Sequence, residues 1–225
     1  MRSGFCTSPR LSILNLMVGT ACIGLYLRLS RSAWVGPTFE IQGGDAALWA
    51  VWGIGSGAAL GGLVLLMARR RKGLPFPVHP GEIIFVLLGF ESSIEVFSYG
   101  LTAIYELATG NARSYFFQSG LPCIQSLMMA GLFAGAAFRT TSRRWRIMFF
   151  CTGGSYVAYF FLICLGPLVY FTVPLIADVV LLAVVTMDHW DGQRYPWTHW
   201  MGVILDLWSI PMIGLWIALY ARLLW

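Results

Sequence analysis

Charge is what this chain has least of. Only 11% of its 225 residues are charged, against 58% hydrophobic, whereas soluble domains carry about 25% charged residues. A surface so poor in charge does not keep a chain in water, and the mean hydropathy of +0.72 points to lipid as the solvent. Paired cysteines are missing as well. Cys6, Cys22, Cys123, Cys151 and Cys164 form no CxxC motif, and four of them fall in apolar runs. They read as small buried hydrophobes rather than as metal or redox groups. No segment alternates polar and apolar residues as barrel strands do, and no internal repeat suggests an inverted-repeat carrier. The formal net charge of +5 is spread over short clusters between apolar runs. That pattern excludes a nucleic-acid-binding face and belongs to membrane topology.

What is present is a succession of long apolar runs. A membrane-crossing helix needs about 20 mostly apolar residues, and seven runs qualify: 11–29, 46–68, 83–107, 119–138, 147–165, 168–187 and 201–224. The fifth and sixth are separated by Gly166-Pro167, a strong helix breaker that favours a tight helical hairpin. The expectation is an all-α, polytopic bundle forming a single transmembrane domain over 1–225. Counting connections alternately, one side gathers Arg2, Arg10, Arg69, Arg70, Arg71, Lys72, Arg139, Arg143, Arg144, Arg146 and Arg194. The other holds Arg28, Arg31, Arg113 and Arg222. The positive-inside rule then places the amino terminus in the cytoplasm and the carboxyl terminus outside, in the cell membrane.

The first run has the basic flank of a secretory signal, and Gly19-Thr20-Ala21-Cys22 is similar to a lipoprotein cleavage site. Gly19 stands where a branched aliphatic residue is usual, however, and the apolar run continues to Leu29. An uncleaved signal anchor is the expectation. The stretch RLSILNLM resembles the opening of many bacterial multi-span proteins.

Glycines recur every fourth residue at Gly53, Gly57 and Gly61 and again at Gly131 and Gly135. Such stripes let helix backbones approach closely in lipid, within the chain or between copies and other subunits. Ser56 lies among the first set, but no intramembrane His accompanies it and no Lys follows the glycines, so packing is favoured over a nucleophile or a phosphate loop.

Against this apolar background stand four acids. Glu91, Glu95, Ser98 and Thr102 fall at i, i+4, i+7 and i+11, which is one helical face, with Phe90, Ile94, Phe97 and Leu101 opposite. At 1.5 Å per residue Glu91 lies about 12–14 Å below the cytoplasmic edge, Asp178 at about the same depth and Asp206 about 8 Å in. No run interior supplies a Lys or Arg to neutralise them. An ionised carboxylate there costs about 2.5–3.5 kcal/mol or more. Relief comes from protonation, from a bound cation, from a water-filled cavity, or from hydrogen bonds across helices to groups such as Gln125, Ser92 and Tyr156. Glu91, Glu95, Asp178 and Asp206 are therefore the candidate site for a proton, a cation or a polar ligand, and Glu91 and Glu95 are expected to face Asp178. Pro174 and Pro211 would free carbonyls near this depth.

A second cluster lies between the sixth and seventh runs, in MDHWDGQRYPWTHWMGVILD. Asp188, His189, Asp191 and His199 are metal-competent residue types, and Arg194 could meet a phosphate. Trp190, Trp197 and Trp200 are suited to an interfacial anchor. The run partly resembles the signature of the CDP-alcohol phosphotransferases, DxxDGxxAR followed by GxxxDxxxD, in which the acids hold divalent metals. Asp188, Asp191, Gly192, Gly202 and Asp206 match by type. The spacing from Asp-Gly to Arg194 is short by two, no Ala precedes Arg194, and Ile210 stands where the last Asp belongs. The resemblance implies a metal set of Asp188, Asp191 and Asp206 and an enzyme acting on lipid-linked phosphates. Three functional classes remain open: a carrier or channel for a proton or cation, that enzyme, and a scaffold subunit. Which cofactor, if any, the chain uses is left open by the sequence.

Overall fold

The computed structural model describes residues 13–34, 43–75, 77–109, 120–162 and 167–224. The regular elements are α1 (Ile13–Trp34), α2 (Gly43–Arg71), α3 (Pro80–Thr109), α4 (Leu121–Arg139), α5 (Arg143–Leu162), α6 (Pro167–Trp190), α7 (Trp197–Asp206) and α8 (Ser209–Leu224). No strand occurs among the described residues. Three stretches are long and apolar enough to cross a membrane: Ala47–Arg71, Pro80–Thr102 and Leu121–Arg139.

The first six expected runs coincide with α1 to α6, with ends moved by a few residues. α6 opens on Pro167, whose fixed φ and missing N–H suit the first helical position; Gly166 lies outside the described residues. The run 201–224 departs from expectation. It is two helices parted at Leu207-Trp208, and it begins earlier, at Trp197. Pro211 supplies the cause: it has no N–H to give the Leu207 carbonyl, and its ring crowds that carbonyl. Ile210 N–H takes the Leu207 carbonyl instead (3.1 Å), and Trp208 N–H turns to the Leu205 carbonyl (3.3 Å). Both are i→i−3 bonds in place of the helical i→i−4 pattern.

Helix ends are fixed by local chemistry. Gly73 (φ 66°) and Gly192 (φ 72°) adopt the left-handed conformation just beyond α2 and α6. At each, the glycine N–H bonds back three residues and the next N–H bonds back five: Gly73 to Arg70 and Leu74 to Arg69, Gly192 to His189 and Gln193 to Asp188, all at 3.0 Å. This is the Schellman closure, which satisfies terminal carbonyls at the cost of a conformation only glycine adopts freely. α3 begins with Pro80, and Glu82 in its first turn accepts from the N–H groups of Val78 (2.9 Å) and His79 (3.2 Å). That is the acidic half of a capping box.

The core is built by Ile84 of α3, Phe133 of α4, Trp145 and Phe149 of α5, Leu181 of α6 and Val203 of α7. Glycine sets how closely the helices meet. A Cβ on Gly53 or Gly57 would run into Leu27 or Ile23 of α1, and one on Gly62 into Phe85 of α3. The tightest approach is between α3 and α7, where a Cβ on Gly202 would collide with the Gly81 carbonyl and one on Gly81 with the His199 carbonyl. The glycine expectation holds only in part. Nothing lies within 4 Å of a Cβ on Gly61, Gly131 or Gly135, and the last two are exposed. The Gly53 and Gly57 face is thus taken by α1, while the Gly131 and Gly135 face of α4 packs against nothing among the described residues.

Candidate functional site

Two polar clusters interrupt the apolar packing. The first contains the four interior acids. Glu91 accepts a hydrogen bond from the Tyr156 hydroxyl of α5 (2.7 Å). Glu95, one turn further on, accepts from the Tyr26 hydroxyl of α1 (2.5 Å) and the Ser56 hydroxyl of α2 (3.5 Å). Tyr26 itself accepts from the indole N–H of Trp52 (2.8 Å), and Gln125 of α4 also reaches Glu95. Asp178, 4% exposed, accepts from the Ser209 hydroxyl at the start of α8.

Electrostatic reach links the four in sequence. Glu95 and Asp206 both act on Glu91, and Asp178 acts on Asp206. The acids therefore form a string, Glu95–Glu91–Asp206–Asp178, in place of the expected direct meeting of both glutamates with Asp178. The reason lies in the reach of the neighbours: the long Tyr156 side chain of α5 meets Glu91 while Tyr26 of α1 and Ser56 of α2 meet Glu95, so an i, i+4 pair sharing a face takes its partners from different helices. Ser98 and Thr102 do not extend the string. Their hydroxyls donate to the Ile94 and Ser98 carbonyls of their own helix (2.8 and 2.9 Å), the usual refuge of a hydroxyl in a helix. Phe90 and Phe97 point outward as expected, 42% and 65% exposed.

The second cluster gathers at the basic end of the bundle, where the amino ends of α3, α5 and α7 meet the carboxyl end of α6. Asp188 is buried and accepts from the Trp145 indole N–H (2.6 Å) and the Tyr195 hydroxyl (2.7 Å). Arg144 stands 3.6 Å from Asp188 and 2.5 Å from Asp191. Its guanidinium is held even more firmly protonated than usual, chiefly by the hydrogen bond to Asp191. Burial, with the bond to Asp188, pushes the Tyr195 hydroxyl up to about 12. The Tyr195 ring stacks on His199 with centroids 3.9 Å apart.

His199 is fully buried, and its Nδ1 accepts the Gly81 N–H (3.0 Å). The proton must then sit on Nε2, which has no hydrogen-bond partner. Beside it, Thr198 donates to Glu82. His199 therefore caps α3, and Glu82 is a buried acid, 2% exposed, whose three donors are Val78, His79 and Thr198.

The alternative metal set Asp188, Asp191 and Asp206 is not assembled. Asp188 and Asp191 share Arg144 at the basic end, while Asp206 belongs to the interior string at the far end of α7. Among the described residues no group of three His, Cys, Asp or Glu side chains is placed to hold a metal ion. His189 and Arg194 are exposed. Glu82, Trp145, Tyr195 and Tyr26 carry much of the two clusters without having been candidates. Of these only Glu82 left a local signal, an acid two residues after a helix-opening proline. Compared with family models, curated proteins and solved structures, the chain finds no match.

Proposed function

We propose that the chain is a multi-pass protein of the cell membrane that binds protons on the string Glu95–Glu91–Asp206–Asp178 and passes them along it. In this reading α1 to α6 each cross once and α7 with α8 together form the seventh crossing, with the amino terminus in the cytoplasm. The exposed apolar side chains, among them Phe97 and Phe138, face lipid. Supporting the orientation, the basic residues at the ends of α2, α4 and α5 lie on the side where Trp145 meets Asp188 and His199 meets Gly81.

The observation that carries the reading is the string itself. Four acids from three helices each lie within electrostatic reach of the next, and hydroxyl donors sit at three of them: Tyr156 on Glu91, Tyr26 and Ser56 on Glu95, and Ser209 on Asp178. Hydroxyls both donate and accept, so they can relay a proton between carboxyl groups, and ionisable residues inside a bilayer mark such paths. A resident divalent ion would want more converging oxygens than any one of these acids has around it.

The test is proton flux into liposomes driven by a potassium diffusion potential and read with an enclosed pH dye. The wild-type protein is expected to acidify the lumen faster than Glu91→Gln or Asp206→Asn, with both variants incorporated to the same extent. Equal rates for all three would refute the reading.

A further inference from the structure

A cleft of about 400 Å³ opens at the basic end between the first turn of α5 and the loop joining α6 to α7. This is within the range of small-ligand sites, about 300–1,000 Å³. Its walls carry opposite charge. On one side stand Arg143 and Arg144 with the Ser142 hydroxyl, at a helix amino end whose free N–H groups favour an anion. On the other stand Asp188, Asp191 and the Gln193 amide, at the carboxyl end of α6. Within the protein Arg144 spans the gap to both aspartates. The Arg143 guanidinium has no ion pair or hydrogen bond among the described residues.

We infer that this cleft is a binding site for an aminoalkyl phosphate, the headgroup of a zwitterionic phospholipid such as phosphatidylethanolamine. The phosphate belongs on the Arg143 and Ser142 side. The primary ammonium belongs on Asp191 and Gln193, where its three N–H groups replace the Arg144 guanidinium and release Arg144 to the phosphate. Arginine suits that task because its planar fork pairs two oxygens at once. A headgroup carrying only the anion would leave Asp191 to compete with it for Arg144. A quaternary ammonium would bring no N–H for the aspartate to accept. The surroundings suit a lipid over a soluble molecule. Ile147, one turn along α5 from Arg143, is 49% exposed, Phe138 is 76% exposed and Trp190, next to Asp191, is 79% exposed. Phe138 packs edge-on against Phe150, with centroids 5.5 Å apart, giving acyl chains an apolar surface to lie along. This inference is independent of the proton string, which lies deeper in the bundle.

The experiment titrates short-chain phosphatidylethanolamine, phosphatidylglycerol and phosphatidylcholine into the full chain in detergent, following tryptophan fluorescence. Saturable binding of phosphatidylethanolamine is expected, at least tenfold tighter than either other lipid. Arg143→Ala and Asp191→Asn should each weaken it at least tenfold while leaving the far-ultraviolet dichroism unchanged; the side chain of Asp191 is 54% exposed, so its replacement leaves the core intact. Free O-phosphoethanolamine should compete only at far higher concentration. Competition at equal concentration would overturn the lipid assignment in favour of a soluble ligand. Equal affinity for the three lipids, or undiminished binding by Asp191→Asn, would overturn the site.

Discussion

His199 offers a direct test of how the basic end is held together. Its ring is fully buried, and its Nδ1 accepts the N–H of the equally buried Gly81 (3.0 Å). Removing the acceptor leaves that N–H without a partner and out of reach of water, which costs about 1–3 kcal/mol. His199→Leu removes it while keeping an apolar side chain of similar size against Tyr195 and Trp145. His199→Asn is the control, because an amide oxygen can take the Gly81 N–H. Unfolding free energy by detergent titration at pH 7 should fall by about 1–3 kcal/mol more for His199→Leu than for His199→Asn. Equal losses in the two variants would show that the bond to Gly81 contributes nothing and refute the argument.

Other outcomes follow from the same geometry. Gly202→Ala drives a Cβ into the Gly81 carbonyl; because backbone meets backbone, relief requires separating α3 from α7, and the loss should be about 3 kcal/mol or more, measured as unfolding free energy. Tyr26→Phe removes a donor to Glu95 and the acceptor of the Trp52 indole, and should cost about 1–3 kcal/mol by the same assay. Arg144→Ala breaks a contact open to solvent, its side chain 43% exposed, and should leave the unfolding midpoint unchanged. A reporter fused after Arg71 should read cytoplasmic and one fused at Trp225 external; both on one side would refute seven crossings.

Helices α1 to α6 were legible because each is a continuous apolar run closed by glycine, proline or a basic cluster. The parting of α7 from α8 was legible in principle, since Pro211 announces it, but an apolar count passes straight through Leu207-Trp208. Hydropathy records composition and is blind to a missing donor. The interior acids stood out for the same reason that made them candidates, four carboxyl groups in apolar surroundings. Their partners did not. Tyr26 lies 69 residues from Glu95 and Tyr156 lies 65 from Glu91, and periodicity carries no information over such distances. The convergence of Trp145 and Tyr195 on Asp188 is hidden likewise. The metal reading of Asp188, Asp191 and Asp206 failed because spacing in sequence says nothing of which end of a helix each acid occupies.

The contact between Gly81 and Gly202 has a mechanical meaning. With His199 bonded to Gly81 and Thr198 to Glu82, α3 and α7 are bolted together along their first turns and travel as one rod. α8 is fastened elsewhere, through Ser209 to Asp178 of α6. Between the rod and α8 lies the two-residue gap at Leu207-Trp208, with Trp208 pinned by its indole N–H to the Val51 carbonyl of α2 (2.8 Å). The two acids are thus carried by separately fastened units, Asp206 by the rod and Asp178 by α6 with α8, and the spacing between them is set by the short link at Leu207-Trp208 rather than by one continuous helix.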